Sequence, residues 1–167
     1  MGIAGKSLYN AFGDKHGLFR QALERYLQGF DVRISRLEGR MPPRQAIRAF
    51  FDEIVEQTLC DPDRKGCMLV NSGLEVAPHD PDLRQVVAEG LAKVEAFFRR
   101  CLTAGQQSGT IPAVQTADDL ARHLLAVLLG LRVLARSGPE RALLEGLLRP
   151  TFSLLGEAAA ERGACIE

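Results

Sequence analysis

Four cysteines and three histidines are the side chains of this chain best suited to covalent, metal or acid–base chemistry. Cys60, Cys67, Cys101 and Cys165 fall at irregular intervals, with no CxxC pair and no histidine at zinc-ligand spacing. Neither a metal centre nor a disulfide scaffold is expected. Cys67 opens a predicted short helix, where free amides can lower a thiol's pKa and make it reactive towards oxidants or electrophiles. The plainer role is a small apolar residue in the core. A Cys60–Cys67 bridge requires a geometry that spacing alone does not define. His16, His79 and His123 are scattered, with no Ser, Cys or Asp partner at catalytic spacing. No P-loop, dinucleotide glycine motif or nucleophile elbow is present, so neither an enzyme nor a cofactor is expected.

Recognition chemistry is concentrated instead at the amino terminus. Residues 2–19 read as a glycine turn, a helix of barely two turns, a second turn at Gly13 and the start of a long helix. Leu8 and Phe12, four apart, can pack on Leu18 or Phe19 and leave Lys6, Ser7, Tyr9 and Asn10 facing outward. Small, polar and aromatic groups on a short exposed helix suit a DNA major groove, although a solvated helix has the same composition. Lys15 and the amides beside it can reach a phosphate. The first 40 residues carry seven Lys/Arg against four Asp/Glu, whereas the 167-residue chain has 21 of each. That rules out a uniformly basic coat protein while allowing a local basic patch.

The elements that must position these groups are helices. The chain is 46% hydrophobic and 25% charged, poor in aromatics and lacking Trp, a globular composition that argues against disorder. Apolar residues recur at three and four positions, and no stretch alternates as a strand would. Asp14 is placed to cap a helix carrying Leu18, Phe19, Leu23, Leu27 and Phe30. Met41-Pro42-Pro43 breaks the chain, and Ile47, Phe50, Phe51, Ile54 and Val55 mark the next helix. A short helix over about 66–77 precedes a long one that Asp80 caps and Pro81 opens. Thr116 and Asp119 form a capping pair for a helix to about Arg136, and Pro150 is expected to kink the last helix. The chain reads as a soluble cytoplasmic protein with reduced thiols. Residues 1–6 lack the charged and apolar regions of a secretory signal, and no apolar run approaches the roughly 18 residues of a membrane span.

Two helical faces invite partners. The run Leu124–Leu131 is apolar around its whole circumference, so it is buried on several sides, either by a second copy of the chain or centrally within one. On the short helix, Asn71 and Glu75 lie one turn apart with Ser72 close by, a polar stripe that either faces water or lines a cavity for a mostly apolar ligand.

Gly2-Ile3-Ala4-Gly5-Lys6-Ser7-Leu8-Tyr9-Asn10-Ala11-Phe12-Gly13-Asp14-Lys15-His16-Gly17-Leu18-Phe19 resembles the recognition-helix segment of the TetR/AcrR transcriptional regulators. Gly2, Ser7, Leu8, Tyr9, Phe12, Lys15, Leu18 and Phe19 fall on the family pattern. Ala4 departs from it where Ser is common, losing a side-chain cap worth about 1 kcal/mol. Residues 66–71 with Glu75 and Pro78-His79-Asp80-Pro81 resemble the regulatory domain of one branch. The resemblance implies an all-α fold. Residues 1–38 would hold the end of a helix-turn-helix domain with its linking helix, and 39–167 a ligand-binding and dimerisation domain. It also implies about two further helices upstream of the segment, so that either the gene product is expected to begin before Met1 or this chain is a truncated form; as given, it is expected to dimerise better than it binds DNA.

By the same resemblance, operator DNA is contacted by Gly5, Lys6, Ser7, Tyr9, Asn10 and Lys15. An unidentified small effector would meet Phe51, Ile54, Cys67, Met68, Asn71, Glu75 and Phe98. A homodimer would form through Leu124, Leu128, Leu131, Leu144, Leu147, Leu148 and Phe152, without metal, cofactor or membrane. The function expected is a ligand-responsive dimeric repressor. The alternatives are a helical effector-binding module without DNA activity, or an electrophile sensor built on Cys67.

Overall fold

Residues 14–157 are described by a computed structural model, and they form six α-helices joined by short turns. Gly5, Lys6, Ser7, Tyr9 and Asn10, the expected DNA-contact positions, lie outside the described residues, as does Cys165. Helix α1 (Lys15–Arg40) starts where Asp14 accepts a hydrogen bond from the Gly17 amide at 2.7 Å. It buries Leu23, Leu27, Phe30, Ile34 and Leu37 at helical spacing. Pro43 opens α2 (Pro43–Leu59), whose ring fixes the first helical φ where no donor is needed. Cys60 ends α2, and the Asp61 carboxylate gathers the following loop by accepting from the Asp63 and Lys65 amides.

Helix α3 (Met68–Glu75) is shorter than the sequence suggests, because the Ala77 amide bonds back to Ser72 and closes the last turn. Helix α4 (Pro81–Gln107) starts on Asp80, which accepts from the Leu83 amide at 3.0 Å. Helix α5 (Ala117–Leu134) starts on the Thr116–Asp119 pair and tightens into a 3₁₀ turn over Ala135–Ser137 that Gly138 ends at φ 68°. Helix α6 (Arg141–Leu154) continues through Pro150 and ends one turn later. Asp14, Pro43, Asp80 and Thr116 therefore start helices at the predicted places.

One core joins all six helices, since the buried face of α1 is continuous with the buried residues of α2 to α6. At its centre Phe50, Phe51, Phe97 and Phe98 are fully buried. Phe51 and Phe98 stack with centroids 5.6 Å apart, and Phe152 meets Phe51 edge-on at 6.0 Å. Such pairs add about 0.5–1.5 kcal/mol each beyond area burial. Helix α1 is thus part of the common core. Among the described residues, no helix is long and apolar enough to cross a membrane.

Candidate effector site

A cavity of about 590 Å³ opens between α1, the carboxyl end of α2, the loop after it, α3 and the carboxyl end of α5. Phe19 and Tyr26 of α1, Met68 and Val76 of the α3 region and Ala135 supply apolar wall. Gln57, Thr58, Asn71, Ser72, Glu75 and Arg132 supply polar groups. Both the volume and the mixed lining suit a small-molecule site.

Helix α3 contributes Met68, Asn71, Ser72 and Glu75 to this wall. Ser72 is buried and donates to the Met68 carbonyl at 2.7 Å, and the Asn71 side chain donates to the Lys65 carbonyl at 2.9 Å. Asn71 and Glu75 both border the cavity, Glu75 at its open rim with its side chain 64% exposed. Gly66 lets the loop close in from above: its φ of +69° favours glycine, and a Cβ there would meet Arg136 Cγ at 3.1 Å.

The charges around the cavity are nearly all paired. Glu75 accepts from Arg136 at 3.1 Å, Lys65 meets Asp63 at 2.6 Å, and Asp61 is taken up by loop amides. Glu53 holds both Arg33 and Arg36. Arg132 differs. It is only 5% exposed, its Nη2 donates to Gln57 Oε1 at a long 3.4 Å, and its Nε has no acceptor among the described residues. The Thr58 hydroxyl, on the same wall, is also buried without a partner. Burial lowers the Arg33 guanidinium below its ordinary value. Glu53 works against that, and the positive charge of Arg132 adds to it.

Tyr26 links the cavity to Cys67, its hydroxyl donating to the thiol at 3.5 Å. Burial, reinforced by Cys67, raises the Tyr26 phenol well above its ordinary value, so it stays a neutral donor. Cys67 itself is buried behind this contact as the N-cap residue of α3 and is not on the cavity wall. Cys60 and Cys67 are both free thiols. The Cys101 thiol is pushed up to about 12 by burial and the Glu38 carboxylate.

Of the expected effector residues, Met68, Asn71 and Glu75 meet at this cavity. Phe51, Ile54 and Phe98 do not: they are fully buried in the aromatic core, closed off by their neighbours. A helical apolar stripe marks the interior, but not which part of it is hollow. Arg132 was missed, although a lone cation amid the apolar run of α5 was its signal.

The expected dimer residues need a similar correction in register. Leu124, Leu128, Leu131, Leu144, Leu148 and Phe152 are buried within the single chain. Leu147 is 39% exposed, and Leu143 and Leu154 lie open on the same stripe of α6. On α5 the open stripe is Ala126, Gly130 and Val133. An all-round apolar helix has two stripes, and the one the sequence reading chose faces its own core. Lys15 is exposed on the first turn of α1, beside a Gly17 amide already occupied by Asp14.

Residues 43–148 match the family model described as the tetracyclin repressor-like, C-terminal domain. The uncharacterized HTH-type transcriptional regulator YezE of Bacillus subtilis (strain 168) is 33% identical over 93% of this chain and 81% of its own length. The chain belongs to the TetR family. It is a transcriptional regulator rather than an enzyme. The HTH-type transcriptional repressor ComR of Escherichia coli (strain K12) is 26% identical, over 93% of this chain and 75% of that protein. Among solved structures, a cysteine mutant of the TetR family transcriptional regulator CifR, complexed with 26-bp double-strand operator DNA, is 30% identical. It superposes with a TM-score of 0.78, covering 90% of this chain and 80% of that one. The six helices and their order are those of the TetR regulatory fold.

Proposed function

We propose that this TetR-family regulator is a homodimeric operator-binding repressor, cytoplasmic, that releases DNA when a small molecule occupies the cavity beside α1. The observation that carries the reading is where the cavity lies. Its wall includes Phe19, one turn beyond Lys15, and extends to Arg132 and Ala135 at the end of α5. An occupant there bears directly on the helix that follows the DNA-contact segment Gly5, Lys6, Ser7, Tyr9 and Asn10. Residues 1–38 then serve as DNA reader and link, and 39–167 as effector and dimer domain. Because α1 is built into the core, a shift at Phe19 is carried along a rigid rod instead of being absorbed. The effector acts by preferring the DNA-incompetent arrangement, a population shift.

Dimerisation is supported by the open stripes of α5 and α6. Two copies joined there hold their reading helices for successive major grooves, about 34–36 Å apart. Selection of duplexes from a random library by the full chain, followed by anisotropy across a salt series, tests the reading. A two-half-site duplex whose affinity falls steeply with salt is expected. Failure to enrich any duplex, or an affinity indifferent to salt, overturns it in favour of an effector-binding module without DNA activity.

A further inference from the structure

Arg132 is the cation of the cavity that has no carboxylate partner among the described residues. A buried guanidinium presents five donors and is normally paired. Among the described residues its one hydrogen bond is the 3.4 Å contact to Gln57, and the acidic side chains lining the cavity, Asp61 and Glu75, are engaged elsewhere. The unpartnered Thr58 hydroxyl is a second polar group of the same wall waiting for an acceptor or donor.

We propose that the molecule held in this cavity carries a carboxylate that pairs with Arg132, its apolar body resting against Phe19, Met68 and Val76. This builds on the cavity being the effector site. A single negative charge matches the one unpaired cation of the cavity among the described residues, whereas a phosphate needs more positive charge than remains after Arg33, Arg136 and Lys65 are paired. Tyr26, neutral and oriented by Cys67, and Asn71, held by Lys65, supply polar surface that needs no charge on the ligand. The bidentate fit of guanidinium to carboxylate supplies both orientation and strength.

The test uses matched probes, 3-phenylpropanoate and 4-phenylbutanoate against their primary amides, titrated calorimetrically and by NMR into the full chain. The acids are expected to bind at least about tenfold more tightly than the amides, as a charge-assisted pair requires. They should also move the Arg132 Nε–H resonance, which the amides leave in place. Arg132→Gln should remove the acid's advantage over its own amide. Arg132→Met should raise the melting temperature of the ligand-free protein, because an unpaired buried charge is lost, and this readout separates a ligand anchor from a structural arginine. Acid and amide of equal affinity, both shifting Phe19 and Met68, would overturn the carboxylate and leave the cavity as the effector site. Probes that shift none of the cavity residues would overturn the cavity reading as well.

Discussion

Leu147 and Leu148 are adjacent in sequence and opposite in environment, which makes them a sharp test of how the chain dimerises. Leu148 is 3% exposed and packs inside its own chain, while Leu147 on the open stripe of α6 is 39% exposed. Full burial of a leucine is worth about 1.5–3 kcal/mol, so covering the open part of Leu147 is worth about 0.6–1.2 kcal/mol per protomer. A twofold interface counts that twice, so Leu147→Ala should weaken the dimer by about 1.2–2.4 kcal/mol, roughly 7- to 50-fold in Kd. Leu147→Asp should weaken it by more than about 100-fold, since a charge is desolvated and faces its own copy across the dyad. Leu148→Ala instead opens a cavity in the monomer and should cost about 2–5 kcal/mol of folding stability. Sedimentation velocity across a concentration series reads the first effect, and urea unfolding at one fixed concentration reads the second. The reasoning fails if Leu147→Asp sediments as the parent does while Leu148→Ala dissociates a chain of undiminished stability.

Further outcomes follow from the same contacts. Gly105→Ala gains about 1 kcal/mol of helix propensity but sets a Cβ 2.4 Å from Ile111 Cδ1 and 3.2 Å from its Cβ. Overpacking should win, for a net loss of about 1–2 kcal/mol in urea unfolding, and Ile111→Val should recover much of it. The Asp80 carboxyl lies below its ordinary value of 3.8, chiefly through the Leu83 amide and then through His16, whose Nε2 is 2.7 Å away. Because the folded value is the lower, its contribution is present above 3.8 and lost as pH falls through the folded value. Asp80→Ala should therefore lower the melting temperature at pH 7 and flatten its acid dependence below pH 4. Alkylation with iodoacetamide at pH 8 should label exposed Cys60 well before Cys101, and rapid labelling of Cys101 in the folded protein would contradict its raised pKa.

Local chemistry settled where the helices begin. Asp14, Pro43, Asp80 and Thr116 satisfy or dispense with the first-turn amides of their own helices, which needs only neighbours within three residues. The same holds for the family, written in the spacing of residues 2–19 and in the order of the helices. Where a hollow lies is a different kind of fact. Phe51, Ile54 and Phe98 share the periodicity of wall residues but close on one another, whereas Phe19 and Gln57, from separate helices, converge on open space.

The amino-acid order by itself determined the helices, their caps and the family, because each depends on interactions a few residues long. Only tertiary structure decided which leucines face the chain's own core, which α3 side chains border the hollow, and that Arg132 is buried with no carboxylate partner among the described residues. Those outcomes depend on what the other helices bring alongside, and side-chain spacing on one helix carries no information about the surface packed against it.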